Sequence, residues 1–220
     1  MRLALLQPQF APNLYDFASM MKAERVIFRD TDKWSRKGRT HRAKIRTLDG
    51  TQWINIPIKT NDKGKAINAV RIEQNEPWFD TFWSAVLHNY STAVYFDFYQ
   101  DEIYAELEQA SKFEKLIDFN LYFFKRLMRF LERDISFELA SDLPEYSPDP
   151  DECARNLGGT LLYQEFESKN YQRQSALARS GLQEHPNYRQ AFEGFEPECS
   201  VLDVLLNYGR ESYKIIERLF

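Results

Sequence analysis

The chain has 220 residues, which is long enough for one large domain with a substantial buried core. Hydrophobic residues make up 43% and charged residues 28%, a balance that excludes disordered, collagen-like and mucin-like proteins. The two cysteines, Cys153 and Cys199, are too few for a disulfide framework, so we expect a reduced, cytoplasmic protein. No uncharged apolar run approaches ~20 residues, which predicts no membrane span, and we find no signal-peptide pattern.

Charge is distributed unevenly along the chain. The net charge of −4 argues against a nucleic-acid partner. Residues 33–46 nonetheless contain seven Lys and Arg and no acidic residue, and we call them the basic segment. This segment is either a solvated surface or a place where an anion binds. Its Trp34 is suited to stacking on a base or a sugar ring.

The first predicted elements form a β-α-β unit. Residues 3–6 make a short apolar run that ends at Gln7, which is typical of a buried strand. Asn13 is a suitable N-cap for the helix that follows, and residues 25–29 predict a second strand that ends at Asp30. Because a short helix joins the two strands, we expect them to be parallel neighbours in one sheet.

An antiparallel insertion of about residues 41–72 follows. Residues 41–58 predict a hairpin, and Asp49-Gly50 indicates a type I′ turn between its strands. Alternation places three cations on one face of the first strand: Arg42, Lys44 and Arg46. A third short strand is expected near residues 69–72.

Helices are favoured over about residues 77–132, where glycine is absent and the only proline is Pro77 at the start. We expect three helices there. The clearest covers residues 113–131, and Asn120 interrupts its apolar stripe. A buried Asn must be hydrogen-bonded, so Asn120 either fixes a neighbouring loop or faces a binding site.

The remaining elements complete an alternating pattern. Three strands and one helix are predicted, at residues 135–140, 160–163, 188–192 and 151–157 respectively. Ser200 begins the last helical region with Asp203 as its capping-box partner, and Gly209 ends the first helix there. The whole pattern predicts one α/β domain over residues 1–220, with a mixed, mostly parallel sheet and helices on both faces.

The known catalytic and nucleotide-binding motifs are absent. The sequence has no GxGxxG, P-loop, GxSxG or HExxH pattern, and its histidines lack metal-ligand spacing, so we predict no metal site and can name no cofactor. In open α/β sheets, however, ligands bind outside the carboxyl ends of the parallel strands. The polar residues predicted at those ends are Gln7, Asp30, Ser141 and Asp142.

The basic segment directly follows Asp30, so it would begin at the rim where ligands bind in such sheets. A phosphate or diphosphate, as in a nucleotide sugar, is the ligand class that fits such a segment best. Arg42 and Lys44 are the candidates to hold that phosphate, with the bidentate role more natural to the arginine.

Two stretches of the chain carry a specific resemblance to a known family. The opening LALLQPQFAPNLYDF contains a Gln-Pro-x-Phe-x-Pro pattern at residues 7–12. A closing signature has His-Pro-x-Tyr-x-Gln at residues 185–190 and Phe-x-Pro-x-x-Ser-x-x-Asp at residues 195–203. With these motifs the chain resembles the WbqC-like family, which is found among genes for bacterial O-antigen and other surface glycans.

The resemblance covers nearly the whole chain, with further matches at Asp30, Arg42, Asn120 and the pair Ser141-Asp142. The chain departs from the family at His41, where Asn is common, and at residues 164–169, where a Gly/Pro-rich loop is usual. The resemblance implies a transferase that adds an acyl or aminoacyl group to a sugar amine.

His185 is the candidate for proton transfer, because a loop histidine with a pKa near ~6.5 can act as general base on an amine or hydroxyl. Its ring should then reach the cleft that holds Gln7 and Asp30. The alternative is a loop histidine without a chemical role. Asp30 either assists at this site or caps a turn.

Two functions therefore remain open. The first is a cytoplasmic transferase that acts on a nucleotide sugar or a related activated metabolite in glycan biosynthesis. The second is a non-catalytic nucleotide- or carbohydrate-binding accessory protein of a biosynthetic complex. The sequence predicts no oligomeric state.

Overall fold

The structure is a computed structural model that describes residues 1–75, 77–164 and 180–220. The described residues contain six strands and seven α-helices. In chain order these elements are β1 (Arg2–Leu6), α1 (Leu14–Lys22), β2 (Arg25–Phe28), β3 (Arg42–Thr47), β4 (Gly50–Asn55), α2 (Trp78–Tyr90), α3 (Phe96–Ser111), α4 (Leu116–Phe130), β5 (Phe137–Leu139), α5 (Pro150–Asn156), β6 (Thr160–Gln164), α6 (Val201–Tyr208) and α7 (Ser212–Ile216).

Four of the strands form a parallel sheet in the order β5-β2-β1-β6. Leu3 pairs with Arg25 and Leu6 pairs with Phe28, which confirms that the first two strands are parallel neighbours. On the other side β1 pairs in parallel with β6, and β2 pairs in parallel with β5. The carboxyl ends of all four strands therefore point toward the same edge of the sheet.

Helices cover both faces of this sheet, as the sequence predicts. On one face Ile27 packs in a cluster with Cys153 of α5. On the other face the ring of Phe28 lies 5.6 Å from that of Phe124 in α4, and Phe17 of α1 lies 6.4 Å from the same ring. Strand alternation produces these two apolar faces, because successive side chains point to opposite sides.

The antiparallel insertion is a separate two-stranded sheet of β3 and β4, with Arg42 opposite Asn55 and Thr47 opposite Gly50. Its turn differs from the prediction. The two residues between the strands are Leu48 and Asp49, and only Gly50 has a positive φ, of 135°. A type I′ turn centred on Asp49-Gly50 needs two left-handed residues, so that prediction is wrong.

Two other strand predictions are wrong. Residues 67–69 form a 3₁₀ turn, and single bridges at Arg71 and Ile72 replace the strand expected near residues 69–72. Residues 188–192 form no strand either, because the side chains of Tyr188 and Gln190 turn inward to a buried carboxyl group.

The helical segment contains the three predicted helices, α2, α3 and α4. Helix α4 begins at Leu116 rather than near residue 113, because the backbone before it pairs with the insertion. Lys115 forms a bridge with Arg71, and the Leu116 N–H donates to the carbonyl of Val70 at 3.0 Å. Among the described helices, none has both the length and the apolar character needed to cross a bilayer.

Candidate functional site

A narrow cleft lies between the loop that follows β1, the hairpin and the segment before α6. We call it the basic cleft, and its polar lining includes Gln9, Asn13, Arg42, Lys44, Glu198 and Ser200. Its cavity volume is about 50 Å³. A space of this size holds one or a few water molecules, or one small anionic group such as a phosphate.

A buried carboxylate, that of Asp16, binds residues on the side of the cleft next to β1. Asp16, in the first turn of α1, is fully buried and accepts hydrogen bonds from Gln9 Nε2 at 3.0 Å and Arg39 Nη1 at 2.9 Å. The Tyr163 hydroxyl donates to the same carboxylate at 2.7 Å. Arg39 also lines the cleft, but its ion pair with Asp16 balances its charge. Arg42 and Lys44 are the other cations that line the cleft.

Arg42 forms part of the hairpin wall of the cleft. Its guanidinium lies 4.2 Å from the centre of the Trp53 ring and donates to the carbonyls of Gly38, at 2.8 Å, and Lys37. Arg46, which shares the same strand face, is buried and donates to backbone carbonyls, including that of Glu193 at 2.5 Å. The three cations predicted on one face therefore have different surroundings, and Arg42 and Lys44 are the two that line the cleft.

A carboxylate faces Lys44 across the cleft. Glu198 Oε2 lies 3.9 Å from Lys44 Nζ. Glu198 has a φ of 66°, in the left-handed region that residues other than glycine rarely adopt. Such strained backbone persists only where the surrounding structure maintains it, and it recurs at functional sites. The cleft thus holds a cation and a possible proton acceptor side by side.

His185 supports Glu198 from behind. The Glu198 N–H donates to His185 Nε2 at 3.3 Å, and His185 Nδ1 lies 3.1 Å from the carbonyl oxygen of Pro186. The ring packs edge-on against Tyr15, with centroids 5.4 Å apart. Both ring nitrogens therefore contact backbone groups, and His185 is next to a residue of the cleft without lining the cleft itself.

Ser200, the residue before α6, lines the cleft. It is 1% exposed, its N–H donates to the carbonyl of Lys44 at 2.7 Å, and its hydroxyl has no hydrogen-bond partner among the described residues. Ser200 also forms a β-bridge with Asn13, the N-cap of α1. The N-termini of α1 and α6 thus meet at the cleft, and helix N-termini favour anions.

The capping box predicted for Ser200 and Asp203 does not form. The Asp203 carboxylate instead accepts from the Tyr188 hydroxyl at 2.7 Å and from Gln190 Nε2 at 3.0 Å. Burial raises the pKa of Asp203, whereas the hydrogen bonds from Tyr188, Tyr90 and Gln190 oppose that rise. The closing signature therefore builds a buried polar cluster beneath the segment that carries Glu198.

Three other predicted site residues lie together at the carboxyl edge of the sheet. Asp30 is 1% exposed and accepts from the Ser141 N–H at 3.0 Å and from Asn68 Nδ2 at 3.1 Å. Asp142 is exposed in the same turn as Ser141. These bonds connect the ends of β2 and β5, and none of these residues lines the basic cleft.

Of the last three predicted site residues, Gln7 and Asn120 form structural hydrogen bonds, and Trp34 lies in a second pocket. Gln7 Nε2 donates to Asp32 Oδ2 at 3.1 Å, which fixes the start of the loop after β1. Asn120 Nδ2 donates to the carbonyls of Pro8 and Thr40, and these bonds connect α4 to two loops. Trp34 lies in a pocket that shares no lining residue with the basic cleft.

Sequence reasoning missed Gln9, Glu198 and Ser200 as residues of the cleft. All three lie within the two family motifs, but Gln9 and Glu198 occupy unspecified positions there, and only Ser200 is one of the defined residues. Within the described residues, no group of three or more His, Cys, Asp and Glu side chains is arranged to hold a metal ion. The departure from the family loop expected at residues 164–169 lies, beyond Gln164, outside the described residues.

Comparison with known proteins identifies the family. The WbqC-like protein family matches residues 7–215. The chain is also similar to the "Uncharacterized protein Rv1507c" of Mycobacterium tuberculosis (strain ATCC 25618 / H37Rv), with 25% identity over 228 residues that cover 96% of this chain and 95% of that protein. No solved structure gives a significant match. Because the family match spans nearly the whole chain, including every residue of the basic cleft, this chain belongs to the WbqC-like protein family.

Proposed function

We propose that this protein is a cytoplasmic transferase that adds an acyl or aminoacyl group to the amine of a phosphorylated amino sugar, such as a nucleotide sugar, in glycan biosynthesis. One observation carries the proposal. Arg42 and Lys44 line a cleft in which two helix N-termini meet, and the Ser200 hydroxyl there has no hydrogen-bond partner in the part of the chain that the structure describes. Cations, hydroxyl groups and helix N-termini together are the usual surroundings of a bound phosphate.

The size of the cleft suits the phosphate of the substrate rather than the whole substrate. A cavity of about 50 Å³ admits a phosphate but not a whole nucleotide sugar. The sugar would therefore extend from the phosphate toward the open side of the cleft. There its amine would be close to Glu198, the only carboxylate among the described residues that line the cleft.

Glu198 would act as the general base. When an amine attacks an acyl carbon, a C–N bond forms and the bond from that carbon to its leaving group breaks. The leaving group departs with the bonding electrons, and the nitrogen must lose a proton. The carboxylate of Glu198 accepts this proton, while the ammonium group of Lys44, 3.9 Å away, stabilises negative charge on the acyl oxygen.

His185 would act as a positioning residue in this scheme. Its Nε2 accepts the N–H of Glu198 and so helps to maintain the left-handed backbone of that residue. The same contact favours a second candidate function. Since both nitrogens of the predicted base contact backbone groups, the protein is also compatible with a non-catalytic accessory protein that binds a nucleotide or carbohydrate.

A binding experiment tests the phosphate site. Isothermal titration calorimetry with nucleoside diphosphate amino sugars should show saturable binding. Arg42→Gln should lower the affinity by about tenfold, because a charge-assisted contact is lost. The control Lys112→Gln changes the net charge by the same amount at an exposed position directly after α3, and it should leave the affinity unchanged. Equal affinities of the Arg42 variant and the parent would contradict the proposed site.

A product assay separates the two functions. Mass spectrometry should detect the mass of an added acyl or aminoacyl group when the amino sugar is incubated with activated acyl donors. Glu198→Gln should lower kcat by about a hundredfold with little change in KM, as expected for loss of a general base. Binding without product across the donor panel would instead identify the accessory protein.

A further inference from the structure

A second pocket lies next to the basic segment and has no lining residue in common with the basic cleft. We call it the Trp34 pocket. The basic segment, the end of the hairpin and the residues that follow the hairpin form its walls. Its cavity volume is about 250 Å³, which is larger than that of the basic cleft.

Three cations line the Trp34 pocket. They are Arg36, Lys59 and Lys63, and the described residues of the lining include no Asp or Glu. Within the described part of the chain, none of the three forms an ion pair. Lys65, nearby in sequence, shows the contrast, because it pairs with the buried carboxylate of Asp62 at 2.6 Å. The positive charge of the pocket is therefore not balanced from within the described structure.

Two buried polar atoms at this pocket also have no hydrogen-bond partner among the described residues. They are Trp34 Nε1 and His41 Nδ1, on side chains that are 9% and 7% exposed. The two rings meet edge to face with centroids 5.0 Å apart. Buried polar atoms are nearly always paired in folded proteins, so two unpaired ones at a single pocket indicate a missing partner.

The His41 imidazole is neutral at physiological pH. Its burial, together with the positive charges of Arg42 and Arg36, lowers its pKa to about 4. A neutral imidazole carries one N–H, and the Trp34 indole carries another, so both rings can donate a hydrogen bond. The partner that suits these donors and the surrounding cations is an oxyanion.

We infer that the Trp34 pocket is a second anion-binding site, which takes a small metabolite through a phosphate or carboxylate group. The group would lie between the cations and the two ring donors. Pro57 and Ile58 provide an apolar wall for the rest of the ligand. A cavity of about 250 Å³ is slightly below the range of pockets that enclose whole drug-sized ligands, so the ligand is small. This inference does not depend on the proposed transferase.

Nuclear magnetic resonance can observe the site directly, because the Trp34 indole N–H gives its own signal. The signal is assigned as the one lost in Trp34→Phe. The protein is then titrated at constant ionic strength with inorganic phosphate in one experiment and with propionate in another. A saturable shift of the Trp34 signal in either titration supports the site, and the comparison of the two identifies the preferred anion.

Variants define where the anion binds. The double variant Arg36→Gln with Lys63→Gln should weaken binding of the effective anion by about tenfold, since charge-assisted contacts are lost. Lys44→Gln, in the basic cleft, and Lys112→Gln, at an exposed position, should leave the Trp34 titration unchanged. The Lys44 variant also separates this result from that of the proposed function.

Three results would overturn the inference. One is the absence of a saturable shift with either anion up to about 50 mM, well beyond the millimolar range of weak specific binding. The second is an unchanged affinity in the double variant that retains the parent's folded spectrum. The third is an equal loss in Lys44→Gln, which would assign the observed binding to the basic cleft.

Discussion

Asn120 fastens two loops to α4, and replacing it with leucine should destabilise the protein by about 3 kcal/mol. Its side-chain amide is fully buried and donates to the carbonyl of Pro8 at 2.9 Å and to that of Thr40 at 2.8 Å. Leucine has a similar volume but no donor, so two buried carbonyls would lose their partner at about 1–3 kcal/mol each. Burial of the added apolar surface offsets about 1 kcal/mol of that cost.

Urea unfolding followed by circular dichroism measures this change, and the melting temperature should fall by about 6–12 °C for a chain of this size. Asn89→Leu is the matched control. Asn89 is also buried, but its amide donates only to the carbonyl of Ala85 in the same helix, which should limit the loss to about 1 kcal/mol. A loss in Asn120→Leu no larger than in Asn89→Leu would refute the loop-fixing role.

Three further predictions concern other positions. Gly209→Ala should lower the free energy of unfolding, measured in urea, by about 2 kcal/mol or more, because φ is 55° and a Cβ would lie 2.6 Å from the Tyr95 ring. The control Gly64→Ala, where φ is 80° and a Cβ would meet no atom within 4 Å, should lower it by about 1 kcal/mol. His41 has a pKa of about 4 in the folded protein, below its ordinary 6.5, so its contribution to stability at neutral pH is lost as the pH falls. Between pH 7 and pH 5 the free energy of unfolding should therefore drop by about 2 kcal/mol more in the parent than in His41→Asn. The free energy of unfolding of Asp203→Asn should stay within about 1 kcal/mol of the parent value, because burial already raises the pKa of that carboxyl. Asp203→Leu should instead lose about 3 kcal/mol, because the buried donors lose their acceptor. Urea unfolding of both variants checks this contrast.

Local patterns in the sequence were sufficient for most of the fold. The apolar run at residues 3–6 and the short helix after it correctly predicted parallel strands, since a connection of that length permits little else. The hairpin followed from alternation around Asp49 and Gly50, although its turn is shifted by one residue. The strand at residues 188–192 failed for a physical reason. Tyr188 and Gln190 both bind Asp203 instead of joining a sheet.

The candidate site was less accessible to such reasoning, because it depends on contacts between distant segments. The carboxyl-end rule led to Asp30 and Ser141, whose hydrogen bonds hold strand ends together. The cleft instead lies further along the loop after β1, where residues near 198–200 meet the hairpin. The left-handed backbone of Glu198 has no signal in its own residue type, since nothing about glutamate favours that conformation.

The position of β1 inside the sheet has a consequence during protein synthesis. Its partner β6 begins at Thr160, so one side of this apolar strand has no partner until about 150 more residues have been translated. At roughly 5–20 residues per second, that interval lasts on the order of 10–30 s. A strand left open for so long is a template for pairing with other chains. Ribosome-bound chains should therefore be most prone to aggregation before Thr160 emerges, and slower translation of the helical segment would lengthen this period.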